Sequence, residues 1–267
     1  MRKRIMIYLA VMLLTIGVVA LQANAESVDL ELSIVVDVSG SIDTADFNLQ
    51  KSGYVNAFKD PTLINKIMSG GTYHAIAVNF VYFSDNAQQA IPWTLINDAS
   101  TSAAFANAID AYARPYSGGT GVVNALNFAY PLFTSNGYEG TRLVIDVSGD
   151  GSEGNACDFA NPNCVPLQNA RDAALAAGIT TINGIAIYDR TFYGESGATI
   201  NALDYLENNL IGGTGAFAMK AETWSDFDGA IRSKLAREII PTPEPTTMLL
   251  LGLGLLGLAG VRRKIQK

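Results

Sequence analysis

The chain predicts an α/β fold: a doubly wound, mostly parallel six-stranded sheet with helices on both faces and one antiparallel edge strand. Three observations carry this expectation. Strand-like and helix-like periods alternate from Glu26 to Ile240. Runs such as Ser33-Ile-Val-Val36 and Leu143-Val-Ile145 are almost wholly apolar, as strands covered by helices on both faces must be. The connection from Phe83 to Gln88 through Ser84-Asp-Asn86 is short enough for a hairpin turn, which sets one strand antiparallel.

In order, the first strand spans Leu30–Asp37, an apolar run that stops in small polar residues. A helix at Thr44–Phe58 follows, with Tyr54 and Phe58 at near-helical spacing on its core side. Strands His74–Phe83 and Gln88–Trp93 form the hairpin. Helices at Ser102–Ala113 and Val122–Phe133 turn Phe105, Tyr112 and Phe128 inward. Strand Arg142–Ser148 repeats the character of the first, since Val144-Ile-Asp-Val-Ser-Gly-Asp150 echoes Val35-Val-Asp-Val-Ser-Gly-Ser41. Helix Leu167–Ala177, strand Thr180–Ile187, helix Ile200–Asn208 and strand Ala216–Lys220 continue the alternation. Helix Trp224–Ile240 closes it, with Phe227, Ile231 and Leu235 on one face. About 215 residues suffice for one domain with a full core.

The two ends carry addresses. Residues 1–25 read as a signal peptide: Arg2, Lys3 and Arg4, an apolar stretch from Ile5 to Leu21, and a small-residue cleavage site at Ala23-Asn-Ala25. Residues 241–267 hold Pro243-Glu244-Pro245, the apolar run Met248–Val261 and the cluster Arg262-Arg263-Lys264. That run is short against the roughly 20 residues of a spanning helix. The basic cluster would keep the C-terminus on the cytoplasmic side. The order of these three elements resembles the PEP-CTERM sorting signal of Gram-negative bacteria. The resemblance implies an exosortase-type processing enzyme as a partner, anchoring to the inner membrane through the C-terminal helix, and a domain at 26–240 that faces the periplasm, cell envelope or exterior.

Charge follows the same partition. Between Glu26 and Glu244 lie all 25 acidic residues and 11 of the 18 basic ones, a net −14. Such a surface repels nucleic acid and attracts cations, which excludes nucleic acid as a partner. Cys157 and Cys164, the only cysteines, flank an Asn161-Pro162-Asn163 turn. An even count in an exported chain favours a disulfide over a metal site.

Three segments are expected at the strands' carboxyl ends, where open parallel sheets collect ligands. They are Asp37-x-Ser39-x-Ser41, Ser117-Gly-Gly-Thr120-Gly121 and Ser148-Gly-Asp150-Gly151. Each taken alone is ordinary turn chemistry. Together, in this order, they resemble the metal-ion-dependent adhesion site of von Willebrand factor type A and integrin inserted domains, and the likeness covers Glu26–Ile240. The resemblance implies that Asp37, Ser39, Ser41, Thr120 and Asp150 hold Mg²⁺, with Mn²⁺ or Ca²⁺ as alternatives. The hydroxyls would touch the metal, and one or both aspartates would act through water. Ser148-Gly149 ahead of Asp150 departs from the family pattern. Asp146 shares a face with Ser148 and Asp150 and has two readings: a carboxylate supporting the metal ligands, or a hydrogen-bonded buried acid with a structural role.

Two carboxylates and three neutral hydroxyls leave a divalent ion electrophilic, able to take an external carboxylate. The expected function is a non-catalytic binding or adhesion module whose protein or matrix partner offers an acidic group. Two alternatives stand: an envelope scaffold with a degenerate metal site, and a metal-dependent hydrolase drawing a base from Asp150, Glu153 or Asp158. Against the latter, the sole histidine, His74, sits at a strand start, and no Gly-x-Ser-x-Gly elbow occurs. The glycine loop also lacks the lysine of a phosphate-binding loop.

Overall fold

Residues 25–158, 161–187, 191–193 and 199–240 are described in the computed structural model of the protein. The chain enters through β1 (Glu26–Val28) and the fully buried β2 (Leu30–Asp37), then helices α1 (Thr44–Lys59) and α2 (Pro61–Ser69). Strands β3 (Ile76–Phe83) and β4 (Ala87–Ile96) make the hairpin, and α3 (Ala99–Ala111) and α4 (Val122–Ala129) follow. Next come β5 (Tyr138–Gly140), β6 (Leu143–Gly149), α5 (Val165–Ala176) and β7 (Thr181–Ile187). A small hairpin of β8 (Thr191–Tyr193) and β9 (Thr199–Asn201) precedes α6 (Ala202–Asn209). Strands β10 (Gly212–Gly213) and β11 (Ala218–Ala221) and helix α7 (Phe227–Ile239) complete the fold.

The central sheet runs β10-β7-β6-β2-β3-β4, with β11 also paired to β7. All six predicted strands are in it, and the two-residue β10 makes a seventh. Pairs β2–β3, β2–β6, β6–β7 and β7–β11 are parallel. Strand β4 is the expected antiparallel edge, interrupted by Pro92 and by register shifts between Val78 and Val81 of β3. The chain leaves β2 toward β3 on one side and returns to β6 on the other. The order therefore reverses at β2, and the loops after β2 and β6 open onto one crevice.

Strand alternation divides the core in two. Leu32, Ile34, Val36 and Phe80 face a layer containing Tyr54, Phe58, Phe105, Phe227 and Ile231. Val35, Val81, Ile145 and Val147 face Ala125, Leu126, Leu167 and Tyr205 on the opposite side. Tyr54, Phe58 and Phe105 are buried as expected, with the Phe58 and Phe105 rings 4.9 Å apart in an edge-on contact.

Helix boundaries follow local chemistry. The Asp98 carboxylate accepts from the backbone N–H of Thr101, so α3 starts three residues before Ser102. The fourth helix ends at Ala129, and a 3₁₀ turn, Tyr130–Phe133, takes over at Pro131, which has no N–H to donate. Helix α2 was not expected. Its signal is Asp60-Pro61: the Asp60 side chain accepts from Thr62 N–H at 2.7 Å, and proline occupies the first turn. The leader through Asn24 and the tail 241–267, with Pro243, Glu244, Pro245 and the apolar run, lie outside the described residues. Among the described residues no helix is long and apolar enough to cross a membrane.

Candidate metal centre

Strand β2 delivers Asp37 to the crevice, fully buried, with Oδ1 accepting the backbone N–H of Ser39 at 2.7 Å. This short turn brings the Ser39 and Ser41 hydroxyl oxygens to 3.2 Å from each other. The Ser41 hydroxyl donates to Asp150 Oδ1 at 2.7 Å, joining the loop after β2 to the loop after β6. Their approach depends on Gly149, where an added Cβ would stand 3.0 Å from Asp37 Oδ2.

The glycine loop interlocks with both. The Gly40 N–H donates to Gly118 O and the Gly154 N–H to Thr120 O, each at 2.8 Å. Thr120 is buried, with its hydroxyl 3.5 Å from where a Cβ on Gly151 would sit. Asp37, Ser39, Ser41, Thr120 and Asp150 thus gather at one sheet edge. His74 is exposed in the turn before β3, at the opposite ends of the strands.

Three side chains not assigned to the site from sequence hold these loops. The Arg114 guanidinium donates through Nη2 to Val38 O (2.7 Å) and Ser39 O (2.8 Å), clamping the first loop. Asp85 Oδ1 accepts from Gly119 N–H and from Asn155 Nδ2. It lies so close that a Cβ on Gly118 would come within 2.1 Å of its other oxygen and displace the carboxylate. Glu153, weighed above as a base, is fully buried and accepts backbone N–H groups on both oxygens: Asn155 and Ala156 on Oε1, Val123 on Oε2. The last of these caps the first turn of α4, two residues after Gly121. The disulfide Cys157–Cys164 forms as expected, with Cα atoms 5.8 Å apart.

The donor set suits a hard cation. Burial, and next the negative charge of Asp150, push the Asp37 carboxyl up to about 7, against the Ser39 hydrogen bonds and Arg114. Asp37 Oδ2 is buried with no hydrogen-bond partner. A cation facing both carboxylates would relieve each condition. Among the described residues no three His, Cys, Asp or Glu side chains cluster, so any ion here relies on two carboxylates and three hydroxyls. All are oxygens, the ligand type of Mg²⁺, Mn²⁺ and Ca²⁺ rather than of thiolate-loving metals.

Asp146 takes the second of its two readings. It is fully buried and ion-paired to Lys234 of α7, which also contacts Glu238 Oε1 at 2.5 Å. Between Asp146 and Asp150, Ser148 Oγ meets the Tyr54 hydroxyl at 3.1 Å and Gln50 Nε2 at 3.4 Å. Lys234 was missed because Ile231 and Leu235 mark α7 as an apolar face. The available signal was the opposite-charge pair Lys234 and Glu238, four residues apart.

A parallel sheet reversing at β2, helices on both faces and three interlocked loops at the strand ends define a von Willebrand factor type A-like domain. The chain belongs to the family described as "Protein of unknown function (DUF1194)", whose profile matches residues 27–243. A second profile, the PEP-CTERM protein-sorting motif, matches residues 241–264, marking the protein as exported and envelope-associated. Among curated proteins none matches the chain.

Solved structures with a similar fold include the pilus adhesin SpaC from Lactobacillus rhamnosus GG (13% identity, TM-score 0.56, covering 81% of this chain and 31% of that one). Another is proximal thread matrix protein 1 from the mussel byssus with a zinc-occupied MIDAS motif (15%, 0.51, 81% and 46%). A third is a von Willebrand factor type A protein from Catenulispora acidiphila (14%, 0.51, 80% and 43%). The chain spans less than half the length of each. At these identities the likeness is one of fold.

Proposed function

We propose that this protein is a non-catalytic, divalent-cation-dependent binding module of the cell envelope or extracellular matrix. Asp37, Ser39, Ser41, Thr120 and Asp150 would hold the cation, Mg²⁺ first and Mn²⁺ or Ca²⁺ as alternatives. The observation carrying this reading is Asp37: a buried carboxylate beside Asp150, with one oxygen accepting no hydrogen bond. Its other oxygen accepts the Ser39 backbone N–H, while Oδ2 is buried with no hydrogen-bond partner among the described residues. A divalent ion bound there supplies an electrophilic centre that can accept an external carboxylate.

The residues around it orient and exclude. Arg114, Asp85 and Glu153 fix the loops, and Ser41 is the exposed member at the rim. A protein or matrix partner presenting Asp or Glu fits this chemistry, and a mussel matrix protein of similar fold carries zinc in the corresponding kind of motif. The reading as a hydrolase is disfavoured because both Glu153 oxygens are occupied by backbone amides and Asp158 is exposed on the loop near the disulfide. The domain is proposed to span 26–240, between a cleaved leader at 1–25 and an exosortase-processed tail at 241–267.

Calorimetric titration with Mg²⁺ and Mn²⁺ tests this. Binding heat is expected for the wild type and its loss in Asp37→Ala and Asp150→Ala. An isotherm unchanged by both substitutions would remove the metal from the function and leave a scaffold.

A further inference from the structure

We propose that helix α7 is fastened to the sheet by a proton-sensitive ionic latch, in which Lys234 bridges Asp146 of β6 and Glu238 of its own helix. All three side chains are fully buried. Two carboxylates and one ammonium leave one negative charge uncompensated in the buried interior, where an unmatched charge is expensive. Glu238 Oε1 receives Lys234 and the Asn183 amide of β7 at 2.8 Å. Asp146 Oδ2 and Glu238 Oε2 accept no hydrogen bond, so a proton on the pair cancels the surplus charge where acceptors are in excess.

Among the described residues, the surrounding elements make no further salt bridge to the cluster. From α1, Tyr54 is held neutral, its ionisation raised by burial first and then by Asp146, and it points its hydroxyl at Ser148. Helix α2 contributes Leu63 and Ile67 to this side of the core. Before β11, the Phe217 ring lies 5.5 Å from Lys234 Nζ and carries the exposed Arg237 on its face. Ahead of β6, Arg142 is a further cation on this side. It donates to Ile239 O at 3.0 Å and senses Glu238 only through the field between them.

The direction of the pH effect follows from Glu238. Burial, then the Asp146 charge, raise its carboxyl to about 7, opposed by Lys234 and Asn183. A detached, solvated glutamate titrates near 4.3. Between these values the docked helix holds a proton that the detached helix has released. Docking is therefore strongest at low pH and weakens as pH rises through about 7. The latch lies at the junction with the sorting segment, since the chain passes from Glu238 to the tail at residue 241. The inference does not depend on metal binding.

Amide hydrogen exchange across residues 227–240 of the full chain, corrected for intrinsic rates, tests it. For one proton titrating near 7, protection is expected to fall about tenfold between pH 6 and pH 8. Glu238→Gln keeps the acceptor oxygen and removes the titration, so the difference should vanish. Equal wild-type protection at both pH values overturns the latch, as does a difference that persists in Glu238→Gln. Should that variant not fold, carboxyl-carbon NMR of wild-type Glu238 decides. A midpoint near 7 supports the latch, and one near 4.5 overturns it.

Discussion

Two buried acid pairs each include an aspartate of β6 or of the loop just after it, and they are treated differently. In the interior, Asp146 and Glu238 share the ammonium of Lys234. At the edge, Asp37 lies near Asp150, and among the described residues Asp37 has no ion-pair partner, because Arg114 spends its guanidinium on the carbonyls of Val38 and Ser39. The chain supplies its own cation where the charge serves packing. Where the charge faces the crevice, the chain supplies Asp37 with the Ser39 amide and, among the described residues, no cation, and the proposed function gives that place to an ion from outside. Acidity alone therefore does not separate the two pairs; the origin of the counter-charge does.

The largest expected effect breaks the interior pair. Lys234→Met leaves two buried carboxylates without their cation and should cost about 3–5 kcal/mol, the range for removing one partner of a buried pair. Urea denaturation at pH 8 measures it, and a loss below about 1 kcal/mol would mean water reaches the cluster. Next is the scaffold of the edge. Glu153→Gln faces an amide donor toward one of its backbone N–H partners and should cost about 1–3 kcal/mol. It should also weaken Mn²⁺ binding, because Glu153 ties the loop after β6 to the start of α4. Unchanged Mn²⁺ affinity in a destabilised variant would separate the brace from the site. The smallest effect sharpens the contrast. Asp37→Asn in EDTA at pH 8 should hold or raise the melting temperature, since it deletes a buried charge repelled by Asp150, in contrast to Lys234→Met.

The fold was legible because its strands announce themselves. Ser33-Ile-Val-Val36 and Leu143-Val-Ile145 permit little besides central parallel strands, and the Ser84-Asp-Asn86 turn sets the antiparallel edge. The three site segments were legible because each places small polar residues directly after a strand or before a helix. What escaped depends on packing between distant segments. Nothing local to Arg114 says that it reaches Val38 and Ser39, 76 and 75 residues away. Asp85 looked like turn chemistry until Gly118 and Gly119 folded onto it. Lys234 hid in an apolar stripe, its partner Asp146 lying 88 residues upstream. Hydrophobic period reports which face is covered, but not which polar group crosses that cover.

Pro92 has a consequence for how this edge meets other chains. An open sheet ends in unpaired amides and carbonyls that invite another chain to add a strand. A proline partway along β4 deletes one such amide, and the offset register beside it bends the ladder out of alignment. Another chain meeting this edge can then do so through side chains and loops more readily than by adding a strand.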